Sequence, residues 1–460
     1  MGKPRNIIFL VCDSLRYDSV YNSNFSMPYC EENGVQFHGM RSPACWTLPA
    51  TTSLFTGKMP HEHGANAQSR NFYPQLPTLA EQMKAAGYHT MQATANVVTT
   101  HIFGLDRGYD EVFRVWKEVD PKFRKLLRFL VICGKPRIRK MIVSKKDFMN
   151  QRMSEDLEMA TTWTQNTYAD IFDHVKMRIA ENEKIGKPTF CFINLMEAHF
   201  PYHADETFHL TANGMRDKFR EARALFDTLN VKFMKTGKPM MAPHIEKLIR
   251  ERQNTAWQIL QKPIDNFLKE MHSKTGNLCL FTADHGDTFG EMDWHYHFNN
   301  VTDAGNKVPL IWLDDKASKA EHKRHSVNSR FLYNDLLRKV NPEAAGHQSV
   351  FSPNAENLPL IQSYWYNSNG KTLDQYRYNQ MAIIAGDQRY VYRDDVNTKA
   401  SWLNAPVAKK DDAEEPHFQP MDSGTNPVEE LIEDQEQKAF LRKTVKDFKQ
   451  FSEKIPRKNP

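Results

Sequence analysis

The stretch ACWTLPATTSLFTGKMPHEHG, residues 44–64, concentrates small hydroxyl side chains that could act as nucleophiles. It holds four threonines and one serine, together with one cysteine and two histidines. A threonine or serine hydroxyl becomes a nucleophile at neutral pH when a base or a bound divalent ion activates it. The composition leaves the choice open among Thr47, Thr51, Thr52 and Ser53, so the stretch predicts a nucleophile without naming it.

Two carboxylates stand directly after short apolar runs elsewhere in the chain. Asp13 follows NIIFLVC, and Asp284 follows LCLFTA and precedes His285. Either aspartate alone would more often be a helix N-cap. Together with the histidine they form a set of hard oxygens and one imidazole, which is typical of a divalent-cation site. Since clustered carboxylates repel one another, a cation is expected to hold them, with a hydroxyl of residues 44–64 as fourth ligand.

Five short and nearly continuous apolar runs predict the strands that position these side chains. Continuous rather than alternating apolarity favours strands covered on both faces. The runs are NIIFLVC (6–12), HTMQATA (89–95), TFCFINLM (189–196), LCLFTA (278–283) and VPLIWL (308–313). Helical patterns at 78–88 and 245–276 lie between them, the second with an expected kink or break at Pro263. Alternating strands and helices predict an α/β sandwich with a mostly parallel central sheet, whose chemistry gathers at the carboxyl ends of the strands.

The remaining segments predict a two-part organisation. Residues 1–375 are expected to form the catalytic α/β domain, and residues 376–460 a small C-terminal subdomain with a short antiparallel sheet and a final helix at 433–454. A basic segment at about 116–153 mixes Lys and Arg with Leu, Ile and Phe. It fits either a surface for a membrane or an anionic polymer, or a solvated helical insertion with an apolar underside. We favour the helical insertion.

Composition excludes several classes of function. A net charge of +5 on 460 residues is too small for a nucleic-acid-binding face, so no nucleic-acid partner is expected. No window approaches the roughly 18 apolar residues of a transmembrane helix, and the N-terminal apolar run is too short for a secretory signal. The six cysteines show no CxxC pair, and three of them lie in the apolar runs. They are typical of buried thiols in a reducing compartment, so a cytoplasmic location is expected.

Several motifs, in order along nearly the whole chain, resemble the alkaline phosphatase superfamily in its sulfatase-like branch. They are NIIFLVCDSLRYD (6–18), TLPATTSLFTG with HEHG (47–64), GYHTMQATAN with GLDRGYDEVF (87–113), NLMEAHFPY (194–202), FTADHGDTFGE (281–291), KVPLIWL (307–313) and PMDSGTNPVEELIED (420–434). The resemblance implies the α/β fold of that superfamily. It also implies a metal site formed by Asp13, Asp284 and His285.

The resemblance also selects the nucleophile. Counting back from Thr56-Gly57 places Thr47 at the family's nucleophile position. Sulfatases carry Cys or Ser there, within Cys-x-Pro-x-Arg, for conversion to formylglycine, whereas this chain has Thr47 and, at the Arg position, Thr51. No formylglycine is therefore expected. Ser14 stands where many sulfatases have a second metal-binding Asp, so the remaining set resembles the single-metal sites of phosphonate monoester hydrolases, phosphodiesterases and phosphoethanolamine or phosphoglycerol transferases.

Further site residues follow from the same resemblance. His199 matches the histidine beside the leaving group and is predicted to be a general acid. His297 stands where family members have a cationic Lys or His, with His295 nearby as a substrate-binding candidate. Asn96 matches a polar residue that contacts substrate. Arg16 is predicted either to contact an anionic substrate or only to pair with an aspartate two residues on.

The chain is therefore predicted to be a metal-dependent hydrolase of phosphate diesters or of phosphonate or phosphate monoesters, through a covalent phospho-Thr47 intermediate. The alternatives are a sulfatase, a phosphoethanolamine- or phosphoglycerol-type transferase, and a binding protein without turnover. The substrate is expected to be a small-molecule ester or one linked to a glycan or lipid. Because Ca²⁺ rarely accepts an imidazole ligand, Mn²⁺ or Zn²⁺ is favoured for the single metal, with Ca²⁺ and Mg²⁺ left open.

Overall fold

The structure is a computed structural model of the 460-residue chain. The residues that it describes are 5–21, 25–67, 69, 72–117, 159, 166–200, 202, 243–291, 295–297, 299–314, 320–352, 360–364, 378–385, 388–395, 401–406, 419–420 and 435–454. Of the basic segment predicted at 116–153, only Trp116 and Lys117 lie within these ranges, and the tail motif lies outside them beyond Pro420.

Strands and helices alternate along the first three quarters of the chain. The strands are β1 Ile7–Cys12, β2 Val35–Phe37, β3 Met40–Arg41, β4 His89–Thr94, β5 Glu111–Arg114, β6 Thr189–Leu195, β7 Leu278–Thr282, β8 Thr288–Phe289, β9 His295–Tyr296, β10 Leu310–Leu313, β11 Glu321–Lys323, β12 Val327–Asn328, β13 Leu360–Ser363, β14 Tyr378–Ala385, β15 Gln388–Asp395, β16 Ser401–Pro406 and β17 Gln419–Pro420. The helices are α1 Tyr17–Val20, α2 Pro28–Asn33, α3 Thr47–Thr56, α4 Pro60–His63, α5 Leu79–Ala85, α6 Thr167–Lys184, α7 Pro243–Thr275, α8 Asp303–Asn306, α9 Leu332–Val340 and α10 Gln435–Lys454.

The central sheet has eight strands in the order β11-β2-β10-β7-β1-β6-β4-β5. Strand β10 runs antiparallel to both of its neighbours, and the other neighbouring strands pair in parallel. All five strands predicted from the apolar runs are present within one or two residues of the expected bounds. The predicted α/β fold with a mostly parallel sheet is therefore confirmed.

The apolar runs became central strands because helices cover both faces of the sheet. Every residue of β1, β6, β7 and β10 is buried. Such strands need apolar side chains on both faces, which explains the continuous rather than alternating pattern. One polar residue interrupts this core near the carboxyl end of β6: Asn194, which is fully buried.

The parallel arrangement places the ends of several strands at one edge of the sheet. Cys12, the last residue of β1, is level with Leu195 of β6, and Asp13 N–H still donates to the Leu195 carbonyl at 2.9 Å. Strand β7 flanks β1 on its other side. The segments that follow these three strands therefore start side by side, which is the position where α/β proteins build their sites.

Helix α7 does not break at Pro263, one of the two predicted alternatives, and a kink there stays a prediction. Helix α7 continues through Pro263 from Pro243 to Thr275. A proline removes one backbone hydrogen bond, but the apolar side chains of Leu260 and Ile264 on either side are fully buried and keep the helix against the core. Within the described ranges, none of the helices combines the length and the apolarity that crossing a bilayer requires.

The C-terminal part contains a five-stranded antiparallel sheet in the order β13-β14-β15-β16-β17. Strands β14 and β15 pair as a hairpin within it, and the predicted final helix is α10. Leu441, Val445 and Phe448 of α10 form an apolar cluster with residues of this sheet, including Met381 and Ile383. The antiparallel sheet expected at the C-terminus is thus present, while the boundary at residue 375 stays a prediction.

Candidate active site

Thr47 is the first residue of α3 and is only 4% exposed. The preceding Trp46 is extended and provides no side-chain cap, and Pro49 occupies the first turn, where its missing N–H is tolerated. The backbone N–H groups of the first turn have no partner within the helix, and the helix dipole adds positive potential there. This helix end therefore favours an anionic oxygen, either on the hydroxyl of Thr47 or on a bound ester.

The hydroxyl of Thr47 faces the strand-end carboxylate of Asp13. Its Oγ1 lies 3.5 and 3.4 Å from the two oxygens of Asp13 and 3.4 Å from Nε2 of His285. Asp13 and His285 are fully buried. These distances leave the hydroxyl loosely held between an acceptor and a ring nitrogen, so it is free to take another partner.

The other hydroxyls of α3 have structural surroundings. Thr52 donates to the carbonyl of Leu48 at 2.7 Å, one helical turn back. Ser53 contacts Nε2 of His63 at 3.0 Å. Buried Thr51 Oγ1 has no hydrogen-bond partner among the residues described. Of the four candidate nucleophiles, Thr47 is the one that the fold brings to the carboxylates.

His63 and Cys45 are packed into the protein rather than presented to the site. The N–H of Ala65 donates to Nδ1 of His63 at 3.1 Å, which assigns the ring proton to Nε2 and makes Ser53 the acceptor. Burial lowers the pKa of His63 to about 3, so the ring is neutral. Cys45 is fully buried, and its thiol contacts Ser363 Oγ at 3.3 Å. These contacts make both residues part of the packing around α3.

Asp13 is oriented by two amide side chains. Asn96 Nδ2 donates to Asp13 Oδ2 at 2.7 Å, and Asn194 Nδ2 approaches the same oxygen at 3.3 Å. The amide of Asn96 is itself fixed, because its Oδ1 accepts a hydrogen bond from the Val98 N–H. Asn96, expected to contact substrate, thus also supports Asp13. Its contact with substrate stays a prediction.

Asp284 completes the carboxylate pair beside His285. Its Oδ1 accepts from the N–H groups of Ser14 at 3.2 Å and His285 at 2.9 Å. Its Oδ2 lies 3.4 Å from His285 Nε2 but accepts no hydrogen bond from any described residue. Burial, together with the negative charge of Asp13, raises the pKa of Asp284 to about 7. Burial opposes the charging of His285, yet Asp284 and Asp13 raise its pKa above the ordinary value.

Asp13, Asp284 and His285 fit a divalent cation. Each offers a buried donor atom, and these atoms lie within 4.8 Å of one another. A buried oxygen without a hydrogen bond, next to a second carboxylate, is stabilised when a cation accepts its lone pair. A second group, His285, Asp287 and His297, meets the same distance criterion. It fits less well, because both oxygens of Asp287 already accept hydrogen bonds, from Tyr202 and His297.

Three histidines near this centre share one arrangement of their ring nitrogens. The Nδ1 atoms of His285 and His199 lie 3.0 and 2.7 Å from the carbonyls of Gly286 and Phe200. Nδ1 of His297 lies 2.6 Å from the Asp287 carboxylate. Carbonyl and carboxylate oxygens only accept, so each Nδ1 must be the donor, and in a neutral ring each Nε2 then carries the lone pair. The ring centres are 4.6 Å apart for His285 and His297, and 5.4 Å for His199 and His297.

Asp287 links two strand-end loops. It is fully buried and receives hydrogen bonds from Tyr202 Oη at 2.7 Å and from His297. Burial opposes its ionisation, but His297 lowers its pKa below the ordinary value. Burial lowers the pKa of His297 to about 4 despite this carboxylate, with His285 and His199 acting in the same direction as burial. His297 is therefore neutral at physiological pH in the absence of a bound anion.

Arg16 is engaged in an ion-pair network. Its guanidinium pairs with Asp18 and Glu291, and it also donates to the Asp287 carbonyl at 2.9 Å. The pairing with Asp18, one of the two predicted alternatives, is thus present, while contact with substrate stays a prediction. His295 lies in the short strand β9, where its backbone pairs with Phe289.

Sequence reasoning missed three residues at this centre, Asn194, Asp287 and Tyr202. The signal for Asp287 was its position three residues after Asp284 in the same DHGD sequence. The signal for Asn194 was a single polar side chain inside an apolar run, near the carboxyl end of the predicted strand. Tyr202 gave no comparable signal, because it reaches Asp287 only through a backbone conformation with φ of 51°, which non-glycine residues rarely adopt.

A family model described as Sulfatase matches residues 5–340. The phosphonate monoester hydrolase SpPMH from Silicibacter pomeroyi is 13% identical with a TM-score of 0.64, over 97% of this chain and 95% of that chain. The phosphonate monoester hydrolase of Agrobacterium radiobacter is 13% identical with a TM-score of 0.60, over 97% and 96%. No match was found among curated proteins.

A third structure contains a sulfated sugar. That protein was solved in complex with its substrate D-glucosamine-2-N,6-O-disulfate, and it is 14% identical with a TM-score of 0.60 over 100% of both chains. The mostly parallel central sheet flanked by helices is the α/β fold that these similar structures share. Since the family model spans most of the sequence, the chain belongs to the sulfatase family. The predicted class of ester hydrolase is confirmed at this level.

Proposed function

We propose that this protein hydrolyses phosphate diesters or phosphonate monoesters through a covalent ester on Thr47. The observation that carries the proposal is the Thr47 hydroxyl at the N-terminus of α3, 3.4–3.5 Å from the Asp13 carboxylate and from His285 Nε2. Two phosphonate monoester hydrolases are among the solved structures with a similar fold, and at 13% identity the likeness is one of fold alone.

Asp13, Asp284, His285 and Thr47 are the residues that would hold one divalent metal. When bound, such an ion acts as a Lewis acid on an ester oxygen and lowers the pKa of a coordinated hydroxyl. We favour Mn²⁺ or Zn²⁺, because an imidazole joins the carboxylates in the donor set.

Different residues act on the nucleophile side and on the leaving-group side of the proposed reaction. Thr47 Oγ1 loses its proton to solvent and attacks the phosphorus, and the N–H groups of Thr47 and Leu48 at the start of α3 bind charge that develops on the ester oxygens. His199, with Nδ1 committed to a carbonyl, presents Nε2 and in its protonated form gives that proton to the departing alcohol. Asn96 binds negative charge on the transferred group, as does His297 once its Nε2 takes up a proton on anion binding. Water then cleaves the Thr47 ester.

The chemistry of release favours phosphorus over sulfur. A formylglycine hydrate can expel sulfate by collapsing to the aldehyde, but the side chain of Thr47 has no second hydroxyl on the same carbon. Water must therefore attack the central atom of the Thr47 ester. This route suits phosphoryl better than sulfuryl transfer.

The test is a panel of matched esters. Purified protein reconstituted with Mn²⁺ or Zn²⁺ is given aryl phosphate diesters, phosphonate monoesters, phosphate monoesters and sulfate esters with the same leaving group. We expect the highest kcat/KM for a diester or phosphonate monoester. A clear preference for sulfate esters would overturn the proposal and favour the second candidate below.

The nucleophile is tested on the same panel. Thr47→Ala is expected to lower kcat by at least about a thousandfold, because no other hydroxyl of α3 faces the carboxylates. Thr51→Ala, which removes a buried hydroxyl one turn away, is the matched control and should keep most activity. Acid-quenched protein should carry a phosphoryl adduct on Thr47 by mass spectrometry. An adduct on another residue, or an active Thr47→Ala, would show that the assignment is wrong.

Hydrolysis of sulfate esters is the second candidate function. Its support is the family itself and the structural neighbour whose substrate is a disulfated glucosamine. Transfer to an acceptor alcohol in place of water is a further outcome of the panel, recognised when added alcohols are converted to new esters at the expense of hydrolysis.

A further inference from the structure

Gln253 of α7 is a fully buried amide that connects two turns of the active site. Its Nε2 donates to the carbonyl of Ser14 at 2.8 Å and to the carbonyl of Ala198 at 3.0 Å. Its Oε1 accepts from the hydroxyl of Ser19 at 3.3 Å. Both amide hydrogens are thus used. The orientation of the amide is determined, because the flipped form would place Oε1 against two carbonyl oxygens.

The two carbonyls adjoin residues with opposite tasks in the proposed reaction. Ser14 follows the metal-ligand candidate Asp13, and Ala198 precedes the leaving-group histidine, His199. Ser14 also has a φ of 60°, a conformation that is strained for a residue with a side chain. The amide of Gln253 therefore binds both turns. One is the strained turn at Ser14 on the nucleophile side, and the other is the turn at Ala198 on the leaving-group side.

Backbone pairing between the two strands ends where these turns begin. Strands β1 and β6 pair up to Cys12 and Leu195, and the last backbone bond between them runs from Asp13 N–H to the Leu195 carbonyl. Beyond that bond, no backbone hydrogen bond joins the two segments within the described residues. The amide of Gln253 bridges their carbonyls from a third element, α7.

Helix α7 is anchored on both sides of Gln253. Three residues before it, Arg250 pairs with Glu291 and lies 3.6 Å from Asp18. Four residues after it, the buried Trp257 stacks on Phe281 of β7 with ring centres 5.6 Å apart. Residues three and four apart share one face of a helix. The face that carries Gln253 is thus held against the site, so the amide is a rigid spacer.

We propose that Gln253 is a positioning residue that fixes the separation between Asp13 and His199, and thereby between the nucleophile side and the leaving-group side of the site. This inference rests on the proposed function for the role of His199, but its effect on Asp13 is independent of turnover. Loss of the amide should therefore weaken metal binding and also reduce the assistance given to the leaving group.

The experiment uses the full chain with Gln253→Met, which keeps the length of the side chain and removes its hydrogen bonds. Gln258→Met is the matched control, because Gln258 lies on the exposed face of the same helix. Affinity for Mn²⁺ is measured by calorimetry on chelator-stripped protein. Values of kcat and KM are measured for a nitrophenyl ester and for an alkyl ester of the same acid, and circular dichroism reports on folding.

We expect Gln253→Met to raise the Kd for Mn²⁺ by about tenfold, the size of effect found for groups that orient metal ligands. We expect kcat to fall more for the alkyl ester than for the nitrophenyl ester, by about a further tenfold, because the poorer leaving group depends more on the general acid. Gln258→Met should remain within about twofold of wild type in each measurement.

The outcomes separate this inference from the proposed function. Wild-type protein without ester turnover, but with Mn²⁺ affinity weakened by Gln253→Met, would contradict the function and support the positioning of Asp13. Unchanged Mn²⁺ affinity with equal losses for both esters would overturn the inference and leave Gln253 as packing alone. Should Gln253→Met fail to fold, Ser19→Ala decides: it removes the hydroxyl that orients the amide, and a smaller change in the same direction is expected.

Discussion

At the residue scale, identical side chains within one short stretch differ by what surrounds them. Thr47, Thr51 and Thr52 lie on the same helix, yet only Thr47 faces the carboxylates, since Thr52 donates to a backbone carbonyl. The histidines differ in the same way. His285 has a raised pKa beside two aspartates, whereas burial lowers that of His63 to about 3. The type of a residue therefore indicates which roles it can have, and the neighbouring atoms determine whether it can perform them.

The buried imidazole of His63 predicts a pH dependence of stability. Its pKa is lowered from 6.5 to about 3, so the native state binds fewer protons than the unfolded state between these values. The stability contributed by neutral His63 is complete above pH 6.5 and decreases as pH falls towards 3. Each pH unit in this window should lower the free energy of unfolding by up to about 1.4 kcal/mol.

His63→Gln tests this prediction, because glutamine can donate to Ser53 but does not take up a proton. Urea unfolding of wild type and variant at pH 7, 6, 5 and 4 gives the two slopes. We expect the variant to be less stable at pH 7 and to lose less stability towards pH 4. His61→Gln, which removes a half-buried histidine two residues away, is the control. Parallel curves for wild type and His63→Gln would contradict the assignment.

At the element scale, short helices and loops connect the two sheets through buried charge. Asp303 of α8 accepts a bidentate pair of hydrogen bonds from Arg41 of β3, both at 2.9 Å, and also pairs with Arg389 of β15. Arg389 is 2% exposed and Asp303 is 8% exposed. Burial opposes the ionisation of Asp303, but Arg41 and Arg389 hold its pKa well below the usual range. One carboxylate thus attaches the C-terminal sheet to the part of the chain that carries the site.

This connection predicts a large effect of Arg389→Met. The methionine fills part of the volume but leaves Asp303 with one guanidinium instead of two. Removing one partner of a buried ion pair typically destabilises a protein by about 3–5 kcal/mol. We expect the lower end of that range, since Arg41 remains, measured by urea unfolding at pH 7. Arg393→Met, a half-buried position on the same strand, is the control, and equal losses for both variants would contradict the prediction.

At the scale of the whole molecule, the site draws on segments spread over most of the chain. Each of five site residues follows or begins a different element, and the sheet brings these elements to one edge. The five are Asp13, Thr47, Asn96, His199 and Asp284. A cation held there would bind residues from distant parts of the sequence. Metal binding should therefore be coupled to the stability of the entire α/β core.

Removal of the metal is expected to lower both activity and Tm. Protein stripped with a chelator should show a Tm that rises with added Mn²⁺ or Zn²⁺, because a ligand at a thousandfold excess over its Kd stabilises the native state by about 4 kcal/mol. Elemental analysis of protein purified without chelator should give one metal ion per chain. Asp284→Asn, which keeps the shape of a ligand and removes its charge, should abolish most of this stabilisation. Restoration by Ca²⁺ alone, or an unchanged Tm, would contradict the prediction.

The sequence by itself determined the fold class and the elements that bear the chemistry. Buried strands need apolar residues on both faces, so runs such as NIIFLVC identified β1, β4, β6, β7 and β10 to within one or two residues. Ordered motifs then predicted Asp13, Asp284 and His285 just after the ends of β1 and β7, with Thr47 beside them. Sequence patterning was less informative at Pro263, where packing on both sides kept α7 continuous.

Only the tertiary structure decided which side chains meet. Asn194 and Asn96 share one oxygen of Asp13, Asp287 joins Tyr202 to His297, and Gln253 bridges two turns from a third element. These contacts join residues that are tens to hundreds of positions apart in the sequence. Local patterns record the periodicity and the burial of an element, because these depend on neighbours in sequence. Hydrogen bonds between elements depend on distances that exist only after the sheet has assembled, and so they leave little trace in the sequence.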